Sequence, residues 1–312
     1  MRAGIAVHRV RRTTFAAVAG LLLVFAACVP PSTLPDGTVP QAGPIGSNGL
    51  VFDGTDLWLA DYFGGQLLRL DATTGRVLER LNADDGIAAP DDLVIAPDGS
   101  VIYTSPQTGV VGRVRRDGST PRVSVLAHRP IGVNPIALTP DGTAVVVGYE
   151  FSEASHIDRI ELSTGAVTMV AAGVGETNGF SFGPDGVLWA PAGGAVTALT
   201  GDGAIARIDI GTGAVDTLRL SFPHDSSKRG LRFGASVRWT PDGRLLALEA
   251  VGAGVYDIDP ATGVATRSSV IPADFGDNMA SLPDGRTFVS NFVGGLFVVD
   301  ATGAARPFPI GG

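Results

Sequence analysis

One cysteine, one lysine and four histidines are all that the 312 residues hold of those three side chains. A single thiol can form no internal disulfide and no redox pair, so stability has to come from a packed core. Zinc is disfavoured, because His8 lies near the start and His128, His156 and His224 show no ligand spacing. No nucleotide-binding glycine loop, heme attachment motif or serine-triad motif stands out. Positive charge is scarce too. Of 23 basic residues, Arg2, Arg9, Arg11 and Arg12 sit in a leading segment without acids, which leaves 19 basic side chains against 31 acidic ones. A surface so charged does not attract nucleic acid or grip anionic lipid, but it suits cations.

The leading segment reads as an address. A basic stretch precedes an apolar run from Phe15 to Ala27, too short to span a bilayer as a mature helix. The run ends at Ala26-Ala27-Cys28, which resembles a bacterial lipobox with Phe25 where Leu is usual. The expectation is a signal peptide over 1–27, acylation of Cys28, and a Pro-, Gly- and Ser/Thr-rich tether over 28–44. The domain over 45–312 would then be exported and held outside the cell membrane by its lipid anchor alone. An ordinary signal peptide with an unrelated Cys28 is the alternative.

What the chain has in abundance is glycine, 43 residues of it, and its placement is periodic. Phe52-Asp53-Gly54 is followed by Pro-Asp-Gly at 97–99, 140–142, 184–186, 241–243 and 283–285, with spacings of 45, 43, 44, 57 and 42. A second turn signal, usually Thr-Gly after an acid, follows each one at Gly75, Gly118, Gly165, Gly213, Gly263 and Gly303. Pro presets the first corner, Asp bonds its local backbone, and Gly takes the left-handed position closing a hairpin. The flanks are apolar and β-branched or aromatic, as in Leu57-Trp58-Leu59 and Val145-Val146-Val147. Two hairpins make a four-stranded unit, and a unit of this length is a propeller blade. The fold expected is all-β, a six-bladed β-propeller with four antiparallel strands per blade. The longer fourth unit carries a polar stretch, Pro223 to Arg229, with the only lysine, Lys228. A solvated loop is expected there, with a lid as the alternative.

In a blade the innermost strand lines the channel and enters it opposite the Pro-Asp-Gly turn. Counting back seven residues from each turn Asp gives Asp91, Asn134, Asn178, Ala235 and Asp277, and the first blade supplies Asn48. Five of six positions thus offer a side-chain oxygen at one end of one channel. Three of the chain's six asparagines fall on this ring, with Asn278 beside it. Asn and Asp also favour strand entries for local reasons, because they bond their own backbone. Carboxylates and carboxamides without His or Cys describe a hard oxygen site, for Ca²⁺ or secondarily Mg²⁺. Asp92, Glu150, Glu176 and Glu249 are further candidates for the same face.

The segment from Asn48 to Asp71, with Pro90-Asp91-Asp92-Leu93, Thr177-Asn178-Gly179-Phe180 and Asp277-Asn278-Met279, resembles the gluconolactonase, regucalcin and paraoxonase-like six-bladed propellers. The resemblance runs over about 45–309, and its blade pattern is shared with NHL and other propellers. It implies a catalytic calcium, with Asp91 in the acidic place, Asn178 as first amide and Asp277 as the aspartate. The second amide falls at Ala235, which has no ligating side chain, while Asn134 and Asn48 stand where the family often has no ligand. Two functions follow. One is a Ca²⁺-dependent hydrolase of lactones or related esters, with Asp277 as base and ligand. The other is a non-catalytic propeller lipoprotein that binds a small molecule, sugar or protein.

Overall fold

The computed structural model describes residues 44–120, 122–150 and 155–311. The expected leader, the lipid site at Cys28 and nearly all of the tether lie outside the described residues. Among the described residues no helix is long and apolar enough to cross a membrane.

The two turn signals of each repeat fold as hairpins for the reasons their residues suggest. All twelve turn glycines are left-handed, with φ between +68° and +98°. The turn aspartates accept from the backbone two residues on, as Asp98 does from Ser100 N at 3.0 Å and Asp185 from Val187 N at 3.1 Å. The result among the described residues is 24 strands in six four-stranded antiparallel sheets, each built from consecutive strands. Blade 1 comprises Ser47–Phe52, Asp56–Asp61, Gln66–Asp71 and Val77–Leu81. The inner strands of blades 2 to 6 are Leu93–Ile95, Val133–Leu138, Ser181–Phe182, Gly234–Trp239 and Gly276–Ser281. Neighbouring inner strands touch around a closed ring. The chain is a six-bladed β-propeller.

Alternation along the second strand of each blade feeds two seams at once. Leu57 and Leu59 pack toward blade 6, while Trp58 and Ala60 pack toward blade 2. The six apolar clusters are the six seams between blades. The seam joining the last blade to the first has no exchanged strand. Phe288, Leu296, Val298 and Phe308 close it against Leu50, Leu57, Leu68 and Leu70, and Gly311 N donates to Gly75 O at 3.1 Å.

Both turn signals of every repeat lie on one face of the disc. The strand entries and the longer connections lie on the other, including both additions to blade 4. One addition runs from a 3₁₀ turn, Gly194–Val196, into one helical turn, Thr197–Thr200. The other, leading into blade 5, is largely solvent-exposed over Pro223 to Arg229, as expected, but is pinned at Lys228. Lys228 Nζ lies 2.5 Å from the buried Glu249 Oε1 and about 5 Å over the rings of Phe222 and Tyr256. A lone ammonium in an apolar-walled position finds both a counter-charge and two π faces there.

Candidate functional site

The five predicted oxygen-bearing residues do meet at the channel mouth. Asn48, Asp91, Asn134 and Asn178 are buried at their strand entries, and Asp277 keeps part of its surface open. Two of the entries are Asn-Gly pairs, for a steric reason. Gly49 N donates to Asp91 O at 2.6 Å, and a β-carbon on Gly49 would sit 2.3 Å from that oxygen. Gly179 O accepts from Val237 N at 2.7 Å, and a β-carbon there would meet Ser236 Oγ at 2.7 Å. Glycine lets each strand entry press on the next blade while the preceding asparagine faces the channel. Gly49→Ala should therefore cost about 1–3 kcal/mol in urea unfolding, as overpacking does, and displace Asn48 with it. Unchanged unfolding would mean that the contact gives way freely.

The ring is wired by its amides. Asn48 Nδ2 donates to Asp91 Oδ1 at 3.2 Å. Glu150, just past the second strand of blade 3, accepts from Asn134 Nδ2 on one oxygen and Asn178 Nδ2 on the other, each at 3.1 Å. Asn178 also stands near enough to Asp277 to favour its charged form. Two amide oxygens, Asn48 Oδ1 and Asn134 Oδ1, are buried without a partner among the described residues. Asn178 Oδ1 instead caps its own strand, accepting from Gly179 N at 2.7 Å.

Electrostatically the mouth is frustrated. Burial, offset in part by Asn48 and reinforced by the Asp92 charge, pushes the Asp91 carboxyl up to about 7. Burial and the charges of Asp91 and Asp92 hold Asp277 well above the usual carboxylate range. Burial, with Asp91, Glu176 and Asp277 nearby, does the same to Glu150. Tyr62 is raised as well, by burial and by the charge of Asp91. Partnerless buried oxygens beside mutually repelling carboxylates match in chemical type the donors a hard cation takes. Among the described residues no three His, Cys, Asp or Glu side chains can hold a metal by themselves. A cation here would therefore need the amide oxygens.

One step deeper the channel is crossed by a single arginine. Arg238, three residues past Ala235, reaches Asn278 Oδ1 at 2.5 Å and Met279 O at 3.2 Å, bonds Phe180 O, and stands 3.6 Å from Asp92 Oδ1. Asp92 also accepts from Asn278 Nδ2 at 2.9 Å and Ile136 N at 3.2 Å. This network ties blades 2 to 6 together across the axis.

The remaining candidates divide. Asp92 belongs to the Arg238 network, and Glu176 accepts from Ala195 N at 3.2 Å near the rim. Glu249 is engaged by Lys228, away from the ring. Ala235 is buried in the apolar seam of blades 5 and 6, so hydrocarbon fills the ring's gap. Phe180 lies in the seam of blades 3 and 4. Counting from turns underrated Glu150, which sits in no repeat register, and missed Arg238. Its signal was there: the matching positions in the other blades are Val51, Val94, Ala137, Ser181 and Ala280, none of them charged.

No family model and no curated protein matches the sequence. Solved structures do match. Virginiamycin B lyase from Staphylococcus aureus superposes with a TM-score of 0.59 at 17% identity, over 85% of each chain. A gluconolactonase from Xanthomonas campestris gives 0.60 at 17% identity, over 86% of this chain and 87% of that one. The calcium-binding protein regucalcin from Agrobacterium tumefaciens gives 0.58 at 17%, over 80% and 83%. The fold is thus the six-bladed propeller shared by gluconolactonase-, regucalcin- and streptogramin B lyase-like structures.

Proposed function

We propose that the channel mouth is a cation-dependent hydrolytic site for lactones or related esters, with Ca²⁺ the expected ion and Mg²⁺ the second. The observation carrying this reading is the convergence of Asp91, Glu150 and Asp277 with two partnerless amide oxygens, Asn48 Oδ1 and Asn134 Oδ1, at the ring face. Similar folds include a gluconolactonase and a calcium-binding regucalcin. Asp91, Asp277, Asn48 and Asn134 would hold the ion, with Glu150 and Asn178 orienting them. A bound divalent cation would polarise the ester carbonyl.

Asp277 is assigned as base because, unlike Asp91 and Glu150, it is only partly buried. Water adds to the carbonyl carbon as Asp277 takes its proton. The acyl–oxygen bond then breaks, and the proton passes to the departing alkoxide, giving one hydroxy acid from a lactone or an acid and an alcohol from an open ester. Asn178, bonded to Glu150 and close to Asp277, is a positioning residue.

A second reading, binding without catalysis, is favoured by a different observation. Ile131, Leu199, Phe275 and Val293 are exposed apolar residues on ring-face loops, Ile131 and Leu199 at 70% and 72%. Such a rim suits a small molecule, a sugar or a protein partner. Attachment to the cell membrane through Cys28 belongs to either reading.

Calorimetric calcium titration of the full chain, repeated on Asp277→Ala and Asn178→Ala, separates them. Binding that both substitutions weaken by at least about tenfold, with calcium-dependent lactone or ester turnover lost in Asp277→Ala, is expected. Absence of both heat and turnover in the unmodified chain would leave the binding reading.

A further inference from the structure

We infer that the cleft between the blade 4 additions and blade 5 is a second ligand site, for an oxyanion carried on a sugar-sized molecule. It encloses about 550 Å³, within the range of small-molecule sites, and no ring residue lines it. The residues that stretch the fourth repeat to a spacing of 57 build much of its wall: 199–201 from one addition, and Asp225 with 227–230 from the other. Two backbone bonds and one side-chain bond clamp these two segments together. Gly203 N donates to Leu231 O at 3.1 Å, Leu231 N to Gly203 O at 2.9 Å, and Phe233 N to Thr197 Oγ1 at 3.0 Å. The cleft is preformed rather than assembled from loose loops.

Its charge runs against that of the whole chain. Lys228, Arg229, Arg232 and Arg267 line it against two acids, Asp225 and Glu249. Both acids are already committed. Glu249 pairs with Lys228 at 2.5 Å, accepts from Arg232 N at 2.6 Å and receives the Tyr256 hydroxyl at 3.0 Å. Asp225 caps its own loop, accepting from Ser227 N at 3.2 Å and Ser227 Oγ at 2.6 Å. The guanidinium groups of Arg229 and Arg232 are exposed, and no carboxylate among the described residues pairs with either. Two unpaired guanidinium forks beside a neutralised ion pair present donors matched to a carboxylate or phosphate. The cleft opens on the ring face and depends on no cation in the channel.

Calorimetry on the full chain without calcium, using inorganic phosphate and D-glucuronate as separate probes, tests the assignment. Saturable binding of at least one is expected, weakening with added sodium chloride. Phosphate alone would identify a phosphoryl site, and glucuronate alone a sugar-acid site. Arg229→Ala with Arg232→Ala should weaken binding at least tenfold, and Arg232→Lys should fall between, since it keeps charge but loses the fork. Both arginines are exposed, so melting temperatures should stay unchanged. No binding of either probe up to ~10 mM, or unchanged binding in the double variant, would overturn the inference.

Discussion

Arg238→Met should remove about 3–5 kcal/mol of stability at pH 7, the largest loss expected from any single exposed or channel side chain. The loss does not come from the arginine's own contacts alone. Asp92 is 1% exposed as a side chain, and without Arg238 it keeps, among the described residues, only Asn278, Ile136 N and Leu93 N. A buried carboxylate with no counter-charge is costly, and it relieves that cost by taking a proton. Burial already raises Asp92 even with Arg238 opposing it. The variant's folded state therefore holds a proton that its unfolded state releases, so its deficit should shrink as pH falls from 7 to 5. Adding Asp92→Asn should recover most of the stability at pH 7. Urea unfolding of the two variants at both pH values checks this. A deficit independent of pH would mean that packing, not charge, is what Arg238 contributes.

Asp91→Asn should do the opposite, stabilising the cation-free protein while abolishing calcium binding. In the folded state Asp91 holds its proton up to about pH 7, against an ordinary value of 3.8. Asp277 and Glu150 are raised as well. Between pH 4 and 7 the native state thus binds more protons than the unfolded one, so stability falls as pH rises through this window. The amide removes one member of a repelling set, and a gain of about 1–3 kcal/mol at pH 8 is expected. A divalent cation relieves the same repulsion. Added calcium should accordingly raise the melting temperature of the unmodified chain more at pH 8 than at pH 5, and that of Asp91→Asn at neither. Thermal melts at the two pH values, with calcium and with chelator, decide the matter. A cation-free chain more stable at pH 8 than at pH 5 would show that these carboxylates are not repelling one another.

Much of this site could be located from sequence because turns are chemically explicit. Pro-Asp-Gly has few conformations open to it, so each copy fixes a strand end, and a count of seven residues fixes the opposite end. That logic brings Asp91, Asn134, Asn178 and Asp277 onto one ring and exposes the substitution at Ala235. It fails where a residue acts across repeats. Glu150 lies beyond the second strand of its blade, and its two amide partners come from blades 3 and 4. Arg238 reaches groups from blades 2, 4 and 6. Their roles come from ring closure, which no local pattern encodes. Lys228 departs from its exposed neighbours for a related reason. Its polar neighbours suggest solvent, whereas the counter-charge that buries it, Glu249, lies 21 positions along the chain.

The way the ring shuts has a consequence for the history and handling of the chain. In no blade do strands from the two ends of the sequence share a sheet. The first and last blades meet mainly through side chains, with the bond from Gly311 N to Gly75 O lying outside any sheet. A circular permutant that begins at a later blade would therefore break no sheet hydrogen bond. Whole blades are the units in which such a chain can be duplicated, reordered or trimmed.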